Sequence, residues 1–259
     1  MISVIILAII QALTEFIPVS SSGHLIVAEE LTALSSSLAL DVALHSGTLL
    51  ALLVYFATRI KQMVFSAGTQ KSLISALILT SLPAAAIGFL FGDVFEQDAR
   101  SLGVVIVMMA SVGFLMLFSE TAFTVNKKIK NINQISLANA FFIGLGQALA
   151  LIPGTSRSGA TMLAGKQMGL SNKLAAEYAF LAGIPVIAGA TLKVFLDPDT
   201  NAVLREEPLR VLVGILVAAL VGLFALRFLI QYLSEKGLRV FGVYRLALAT
   251  ILLIIWINQ

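Results

Sequence analysis

Residues 11–24 read QALTEFIPVSSSGH, and residues 147–159 read QALALIPGTSRSG. In both places an apolar stretch runs into a polar turn that contains proline, serine and glycine, and a second apolar stretch follows. The four stretches, at about 2–17, 22–33, 137–152 and 158–170, are marginal or too short for a helix that crosses a bilayer, which needs about 20 residues. Non-helical backbone is tolerated at membrane depth only where it is buried in protein or lines a wet cavity. The two segments are therefore predicted to be the tips of two re-entrant helix hairpins.

The composition of the chain is that of a membrane protein. Of its 259 residues 59% are hydrophobic and 12% are charged, whereas soluble domains have roughly 45–50% and about 25%. Six further apolar stretches are long enough to cross a bilayer, namely 38–57, 72–92, 102–120, 174–196, 208–234 and 239–257. The predicted fold class is therefore an all-α polytopic membrane protein with six transmembrane helices and two re-entrant helix hairpins.

The two hairpins are related by an internal repeat. An alignment without gaps that places Gln11 on Gln147, the repeat alignment, gives 13 identities in the 37 positions from 11 to 47. The later apolar stretches also fall on one another in the repeat alignment, so a single membrane domain is predicted, with repeats at about 1–125 and 135–259. Each half contributes one hairpin and three crossings. Because three is odd, the second half is expected to be inverted relative to the first, and the two tips are expected to meet near the midplane.

The loop charges predict an orientation. With the halves inverted, ten basic residues lie on the proposed inner side and four on the proposed outer side, which is the positive-inside bias. The inner group is Arg59, Lys61, Lys71, Lys127, Lys128, Lys130, Lys166, Lys173, Lys236 and Arg239, and the outer group is Arg100, Lys193, Arg205 and Arg210. Both termini are then outside. The absence of cysteine excludes disulfides and thiolate chemistry, and the net charge of +3 gives no indication of nucleic-acid binding.

The first tip carries ionisable groups at membrane depth. Gln11 and Glu15 are four residues apart and project from one face of the first half-helix. An ionisable side chain inside the membrane is by default a functional hypothesis, although Glu15 could instead pair with Arg157 only to hold the hairpins together. His45, in the next helix, is predicted to be an interior hydrogen-bonding group.

Serines and a histidine follow in the same tip. Ser20, Ser21, Ser22 and His24 offer hydroxyls close to an imidazole, which with an acid nearby is the arrangement of an activated nucleophile. His24 could equally activate water or protonate a leaving group. The residues alone do not choose among these roles.

The second tip predicts an anion site. Glycine allows a close approach of the backbone to an anion, the N–H groups that begin the following half-helix point toward it, and Arg157 offers a planar fork that matches phosphate oxygens. A tight turn with a helix cap would explain the proline, glycine and serine residues, but not an arginine at membrane depth. The candidate substrate-binding residues are Gly154, Ser156, Arg157, Ser158 and Thr161, together with Ser20 and Ser22 of the first tip.

The two tips resemble the two signatures of a known family. The stretch from Gln11 to His24 resembles the (E/Q)-x-x-x-E motif and the Pro-Val-Ser-Ser segment of the bacitracin-resistance type undecaprenyl-pyrophosphate phosphatases. Residues 153–161, PGTSRSGAT, resemble the second motif of that family, P-G-x-S-R-S-x-x-T. The length and the helix layout are similar along essentially the whole chain.

The resemblance implies hydrolysis of undecaprenyl pyrophosphate to the monophosphate and inorganic phosphate in the bacterial plasma membrane, which recycles the lipid carrier for cell-wall synthesis. It implies a divalent cation, Mg²⁺ or Ca²⁺, a site that opens toward the outer face, and a homodimer. By position, Glu15 falls on an acid linked to metal and catalysis, Ser21 on the proposed nucleophile, His24 on the essential histidine and Arg157 on the pyrophosphate-binding arginine. Gln11 falls on the second metal position, where an amide is a weaker ligand than a carboxylate.

Two other membrane functions compete with this interpretation. Inverted repeats with broken helices are the usual plan of secondary transporters, so a polyprenyl-phosphate flippase is the alternative. Membrane phosphatases of the phosphatidic-acid type share the Ser-Gly-His and Ser-Arg patterns, but they need a histidine six residues after the arginine. Position 163 is leucine, so that class is excluded.

Overall fold

The computed structural model describes residues 1–31, 38–95, 101–122, 129–198 and 204–258. The described chain is built of α-helices, and it contains no β-sheet within these ranges. In chain order the helices are α1 (Ile2–Phe16), α2 (Ser21–Leu31), α3 (Leu38–Tyr55), α4 (Ala57–Phe65), α5 (Ala67–Asp93), α6 (Leu102–Ala122), α7 (Leu137–Ala148), α8 (Arg157–Gln167), α9 (Asn172–Leu196), α10 (Pro208–Lys236) and α11 (Arg239–Ile257). Single 3-10 turns lie at Ile132–Gln134 and Leu149–Leu151.

Among the described residues five helices are long and apolar enough to cross a membrane, and they confirm five of the predicted spans. They are α5, α6, α9, α10 and α11. The sixth predicted span, 38–57, is α3, which is long and apolar enough only together with α4, bent by 70° against it. The bend has a physical reason, because α4 carries Arg59, Lys61 and Gln62, which favour the polar interface over hydrocarbon. The prediction of an all-α polytopic membrane protein is confirmed.

The two short apolar pairs, α1–α2 and α7–α8, break at the predicted places. Ser20 and Ser156 precede α2 and α8 with φ of 79° and 74°, a region that non-glycine residues rarely adopt. Each of these serines accepts a hydrogen bond at its Oγ from the N–H three residues later, at Gly23 (3.3 Å) and Gly159 (3.2 Å). The two breaks therefore have the same local structure at positions that coincide in the repeat alignment.

The two tips are in direct contact. A Cβ on Gly23 would lie 3.4 Å from Cα of Gly154, and a Cβ on Gly159 would lie 3.3 Å from Cβ of Pro18. These contacts exchange in the repeat alignment, because Gly23 corresponds to Gly159 and Pro18 to Gly154. Reciprocal contacts of this kind are those that a two-fold axis produces. They agree with a duplication, while the bounds of the repeats and the inverted orientation of the halves stay predictions.

The largest buried cluster joins both halves and lies against the tips. Phe16, the last residue of α1, meets Phe180 of α9 edge-to-face, with 5.8 Å between ring centroids, and both rings are fully buried. The residue before Phe16 is Glu15, and the residue before Phe180 is Ala179. The apolar core therefore fixes the backbone beside the polar tips. Among the charges used to predict the orientation, Arg100, Lys127 and Lys128 lie outside the described residues.

Candidate active site

A buried ion pair joins the two tips. Arg157 Nη2 donates to Glu15 Oε1 at 2.9 Å, and the side chains are 12% and 5% exposed. Arg157 Nη1 donates to the carbonyl oxygen of Ala179 at 3.2 Å. The structure therefore brings together the acid predicted from the first motif and the arginine predicted from the second.

The guanidinium of Arg157 occupies the space beside a glycine. A Cβ on Gly183 of α9 would lie 1.9 Å from Arg157 Nη1 and 2.5 Å from its Cζ. No side chain fits there while Arg157 holds this position. Gly183 is one of the positions that are identical between the repeats, where it matches Gly47.

Glu15 is the centre of a hydrogen-bonded cluster. Its Oε2 accepts from Ser21 Oγ at 2.8 Å and from Gln11 Nε2 at 3.1 Å. Gln11 Nε2 also lies 2.8 Å from His45 Nδ1, which is itself 3.3 Å from Glu15 Oε2. His45 is thus a hydrogen-bonding group as predicted, but it lies at the site itself. It stands beside Oε2 of Glu15, whereas Arg157 binds Oε1.

The hydrogen bonds of His24 lie outside this cluster. Its Nδ1 lies 2.7 Å from the carbonyl oxygen of Ser20, and its Nε2 lies 2.7 Å from the hydroxyl of Tyr244. Neither of these contacts reaches Ser21, whose hydroxyl donates to Glu15. The acceptor placed to receive the proton of Ser21 is therefore the carboxylate of Glu15.

The other predicted substrate-binding residues lie at the tips, and several of their hydroxyls already form hydrogen bonds within the protein. Ser20 and Ser156 cap α2 and α8, and their hydroxyls lie 3.3 and 3.2 Å from those of Ser22 and Ser158. Thr161 donates to the carbonyl of Arg157 at 2.7 Å. Gly154 has φ of +88° and packs against Val105, with 2.8 Å from the position of a Cβ to the Val105 backbone. Substrate contact by these residues stays a prediction.

Four buried polar atoms in the segments 11–24 and 147–159 have no hydrogen-bond partner. They are Gln11 Oε1, Gln147 Oε1, Thr155 Oγ1 and Arg157 Nε. A buried polar group without a partner costs about 1–3 kcal/mol, so such atoms are rare and need an explanation. Two hydrogen-bond donors and two amide oxygens are thus unpaired, but all four atoms are closed to solvent, so a bound molecule reaches them only after a local side-chain movement.

A second arginine, Arg245 of α11, donates hydrogen bonds to the backbone of both tips. Arg245 is fully buried. Its Nη1 donates to the carbonyl of Pro18 at 3.3 Å, and its Nη2 donates to that of Gly154 at 2.6 Å. Its Nε and Nη2 also reach the carbonyls of Met109 (3.3 Å) and Met108 (3.2 Å) in α6. Within the described part of the chain no carboxylate pairs with Arg245, so its positive charge is balanced by backbone dipoles.

Comparison with known proteins shows the family. The family model described as "Bacitracin resistance protein BacA" matches residues 4–251. The chain belongs to this family.

Several curated relatives of this BacA-family chain are named undecaprenyl-diphosphatase. The protein of that name from Rubrobacter xylanophilus is 39% identical over 261 residues, which cover 95% of each chain. Those from Halothermothrix orenii and Alteromonas mediterranea are 37% and 38% identical, and they cover 93% and 96% of this chain and 92% and 96% of their own. The resemblance stated from the two motifs is therefore confirmed.

Sequence reasoning missed two residues of α11 and one role. Arg245 lies in the middle of a predicted span, where an arginine is a functional hypothesis by default, but it belongs to neither the inner nor the outer group of loop charges. Nothing in the sequence indicated a role for Tyr244 at the site, because tyrosine is common near the ends of membrane helices. His45 was visible as a membrane histidine, but only the fold shows that it reaches Glu15.

Replacing Arg245 is expected to destabilise this BacA-family protein. Arg245→Met removes the donors of four carbonyl oxygens and should lower the free energy of unfolding by roughly 2–5 kcal/mol. Thermal unfolding in detergent, followed by circular dichroism, measures the change. The matched control is Arg239→Met, at an exposed arginine of the same helix, which should melt close to the parent. Equal melting temperatures for the two variants would show that Arg245 does not hold the tips.

Proposed function

We propose that the chain is an undecaprenyl-diphosphatase, which hydrolyses undecaprenyl diphosphate to undecaprenyl phosphate and inorganic phosphate and so returns the lipid carrier to cell-wall synthesis. Membership of the BacA family and the names of full-length relatives support this function. The observation that carries it is the buried contact of Arg157 with Glu15. This contact places a phosphate-binding fork beside an acid and the hydroxyl of Ser21.

The second tip supplies the anion site. The Nε of Arg157 and the hydroxyl of Thr155 are buried donors without partners, and the N-terminus of α8 begins at Arg157 itself. Helix N-termini favour anions, and Arg245 adds a positive charge behind both tips. The two unpartnered donors are closed to solvent, so a diphosphate would first contact the partly exposed guanidinium of Arg157 and would pair with them only after a local rearrangement.

The chemical step is phosphoryl transfer to Ser21. Ser21 Oγ forms a bond to the terminal phosphorus, and the bond from that phosphorus to the bridging oxygen breaks. The bridging oxygen leaves with undecaprenyl phosphate, and the proton of Ser21 passes to Glu15, whose Oε2 already accepts from Ser21 at 2.8 Å. Water then hydrolyses the phosphoserine. Arg157 stabilises the charge on the transferred group, because such reactions depend on positioning and electrostatics.

A divalent cation is compatible with the residues of the first tip. Within the described residues no group of three or more His, Cys, Asp and Glu side chains could hold a metal ion. The carboxylate of Glu15 and the unpartnered Oε1 of Gln11 are oxygen ligands of the kind that Mg²⁺ and Ca²⁺ prefer. Mg²⁺ commonly binds through one or two protein oxygens and substrate phosphates. Gln11 turns its Nε2 toward Glu15, so an ion held by both residues would require the amide of Gln11 to turn its Oε1 toward the carboxylate. The ion would then neutralise phosphate charge.

The proposal includes the bacterial plasma membrane, with both termini and the opening of the site on the outer face. The basic residues that bias the orientation support this arrangement, notably Arg59, Lys61 and Lys236 at the ends of the spans. A homodimer is proposed from the family resemblance alone.

Phosphate release by the purified protein tests the function. In detergent with undecaprenyl diphosphate, the parent should release inorganic phosphate. Glu15→Gln and Arg157→Ala should each lower kcat/KM at least about 100-fold, because each removes a charged group that acts on the transferred phosphoryl. Glu235→Gln, at an exposed acid of α10, is the matched control and should keep the parent rate. No phosphate release by the parent, or full activity of Glu15→Gln, would contradict the proposal.

Removing divalent ions should abolish this activity. EDTA treatment is expected to reduce phosphate release to background, and adding Mg²⁺ or Ca²⁺ in excess should restore it, because the protein itself offers too few ligands to retain the ion. Gln11→Glu should lower the cation concentration that gives half-maximal rate, since a carboxylate replaces an amide. A rate that EDTA leaves unchanged would rule out the cation.

Gly183→Ala should lower the activity by displacing Arg157, although it replaces no polar residue. The added methyl lies 1.9 Å from Arg157 Nη1 in the present structure, so the guanidinium must leave its place between Glu15 and Ala179. We expect kcat/KM to fall at least about 30-fold, since small misplacements of catalytic groups are costly. The control is Gly189→Ala in the same helix, where a Cβ meets nothing within 4 Å. Comparable rates for the two variants would show that this position of Arg157 is not needed.

A further inference from the structure

Tyr244 makes a specific contact with His24. Its hydroxyl lies 2.7 Å from His24 Nε2. The two rings lie edge to edge and nearly coplanar, with 5.8 Å between centroids and 8° between planes. Tyr244 is 45% exposed, so neither close packing nor burial of its ring forces this arrangement. The hydrogen bond to the outer nitrogen is the contact through which Tyr244 controls the position of the imidazole.

The hydrogen bonds define the tautomer of His24. The carbonyl oxygen of Ser20 can only accept, so Nδ1, at 2.7 Å from it, carries the proton. In the neutral ring Nε2 then holds the lone pair, and the hydroxyl of Tyr244 donates to it. Both nitrogens are thereby engaged by the protein, one through the backbone of the first tip and the other through α11.

The same turn of α11 also holds the backbone of that tip. Arg245, the next residue, donates to the carbonyl of Pro18, whereas Tyr244 reaches the side chain of His24 further along the tip. The tip changes direction at Ser20, whose φ is 79°. The carbonyl that anchors His24 therefore belongs to a residue in an unfavourable conformation. A second anchor on the ring reduces the freedom that this single backbone contact would leave.

We propose that Tyr244 is a positioning residue for diphosphate hydrolysis at this site, which acts by fixing the ring orientation of His24 through its Nε2. The inference rests on the proposed function and extends it to a residue outside both motifs. Tyr244 holds Nε2 of His24 before the substrate head group arrives, so that the ring has one orientation. Catalysis depends on such placement within about 1 Å. For Nε2 to act on the substrate or on a water molecule, the hydroxyl of Tyr244 must then give up this contact.

Removing one hydroxyl tests this role. Tyr244→Phe keeps the aromatic ring but deletes the donor to His24 Nε2. We expect kcat to fall about three- to tenfold, the worth of one hydrogen bond, with KM changed less than about twofold. The control is Tyr232→Phe, which deletes the hydroxyl of a ring that packs on Phe228 and Phe241. It should keep the parent kcat. An unchanged or raised kcat for Tyr244→Phe would overturn the proposal.

Nitrogen NMR of the imidazoles tests the same role independently of turnover. The chain has two histidines, and the spectrum of His24→Gln assigns the signals. In the parent, His24 should show the Nδ1–H tautomer, with Nε2 as a hydrogen-bonded acceptor. In Tyr244→Phe the tautomer should persist, because the carbonyl of Ser20 remains, and the Nε2 signal should shift because it loses its donor. Identical His24 signals in both proteins would overturn the inference.

The two measurements separate the possible failures. If the parent releases no phosphate, the proposed function fails, while the NMR comparison still decides whether Tyr244 fixes His24. If the parent is active and His24→Gln retains its full rate, His24 has no part in the reaction and the positioning role of Tyr244 is overturned with it. A fall in kcat for Tyr244→Phe of the same size in a His24→Gln background would also overturn it, because Tyr244 would then act through another group.

Discussion

Broken helices inside a membrane protein leave backbone carbonyls that must find donors, and the arrangement of this site depends on how that need is met. The breaks after α1 and α7 expose the carbonyls of Pro18 and Gly154, and a single guanidinium, that of Arg245, donates to both. Its planar fork allows this, because several N–H groups point in fixed directions from one side chain. With the tips joined at their backbones, Glu15 and Arg157 are brought within 2.9 Å of each other. The hydrogen bonds that Arg245 donates to the two tip carbonyls thus accompany the arrangement in which Glu15 and Arg157 form their ion pair.

The two halves have the same backbone conformation at their turns, but they supply different functional side chains. In the repeat alignment, Ser21 corresponds to Arg157, Glu15 to Leu151, and His24 to Ala160. The first half therefore supplies the acid, the hydroxyl and the imidazole, and the second supplies the cation that binds phosphate. A positive φ at the serine before each second half-helix is common to both. Such strain costs about 1–3 kcal/mol and persists where the surrounding structure enforces it. The two turns have the same geometry, whereas the side chains on them differ and take complementary roles.

The helices could be predicted from the sequence because apolar length and proline-containing turns are local signals. The contact of Glu15 with Arg157 could be anticipated because the internal repeat predicted that the two tips meet. Apolar length identified five crossing helices, and Pro18 and Pro153 with their serine-rich turns identified the hairpins. The bend after Tyr55 was not predicted, because a hydropathy pattern measures length and not direction. Tyr244 and His45 reach the site from other helices, through contacts with His24 and Glu15 respectively. No spacing rule within one helix reports such contacts, so the outer part of the site required the structure.

The contacts between the halves also bear on the choice between an enzyme and a transporter. Alternating access requires one repeat to move against the other around a fixed site. Here Glu15 of the first half is paired with Arg157 of the second, Arg245 donates to both tips at once, and Lys166 of α8 pairs with Glu120 of α6. Separating the halves would break a buried ion pair and leave both tip carbonyls without donors, and breaking a buried pair alone costs roughly 3–5 kcal/mol. A fixed junction suits a reaction in which the phosphoryl group must meet one preorganised set of charges. The geometry of the tips therefore agrees with hydrolysis at a stationary site.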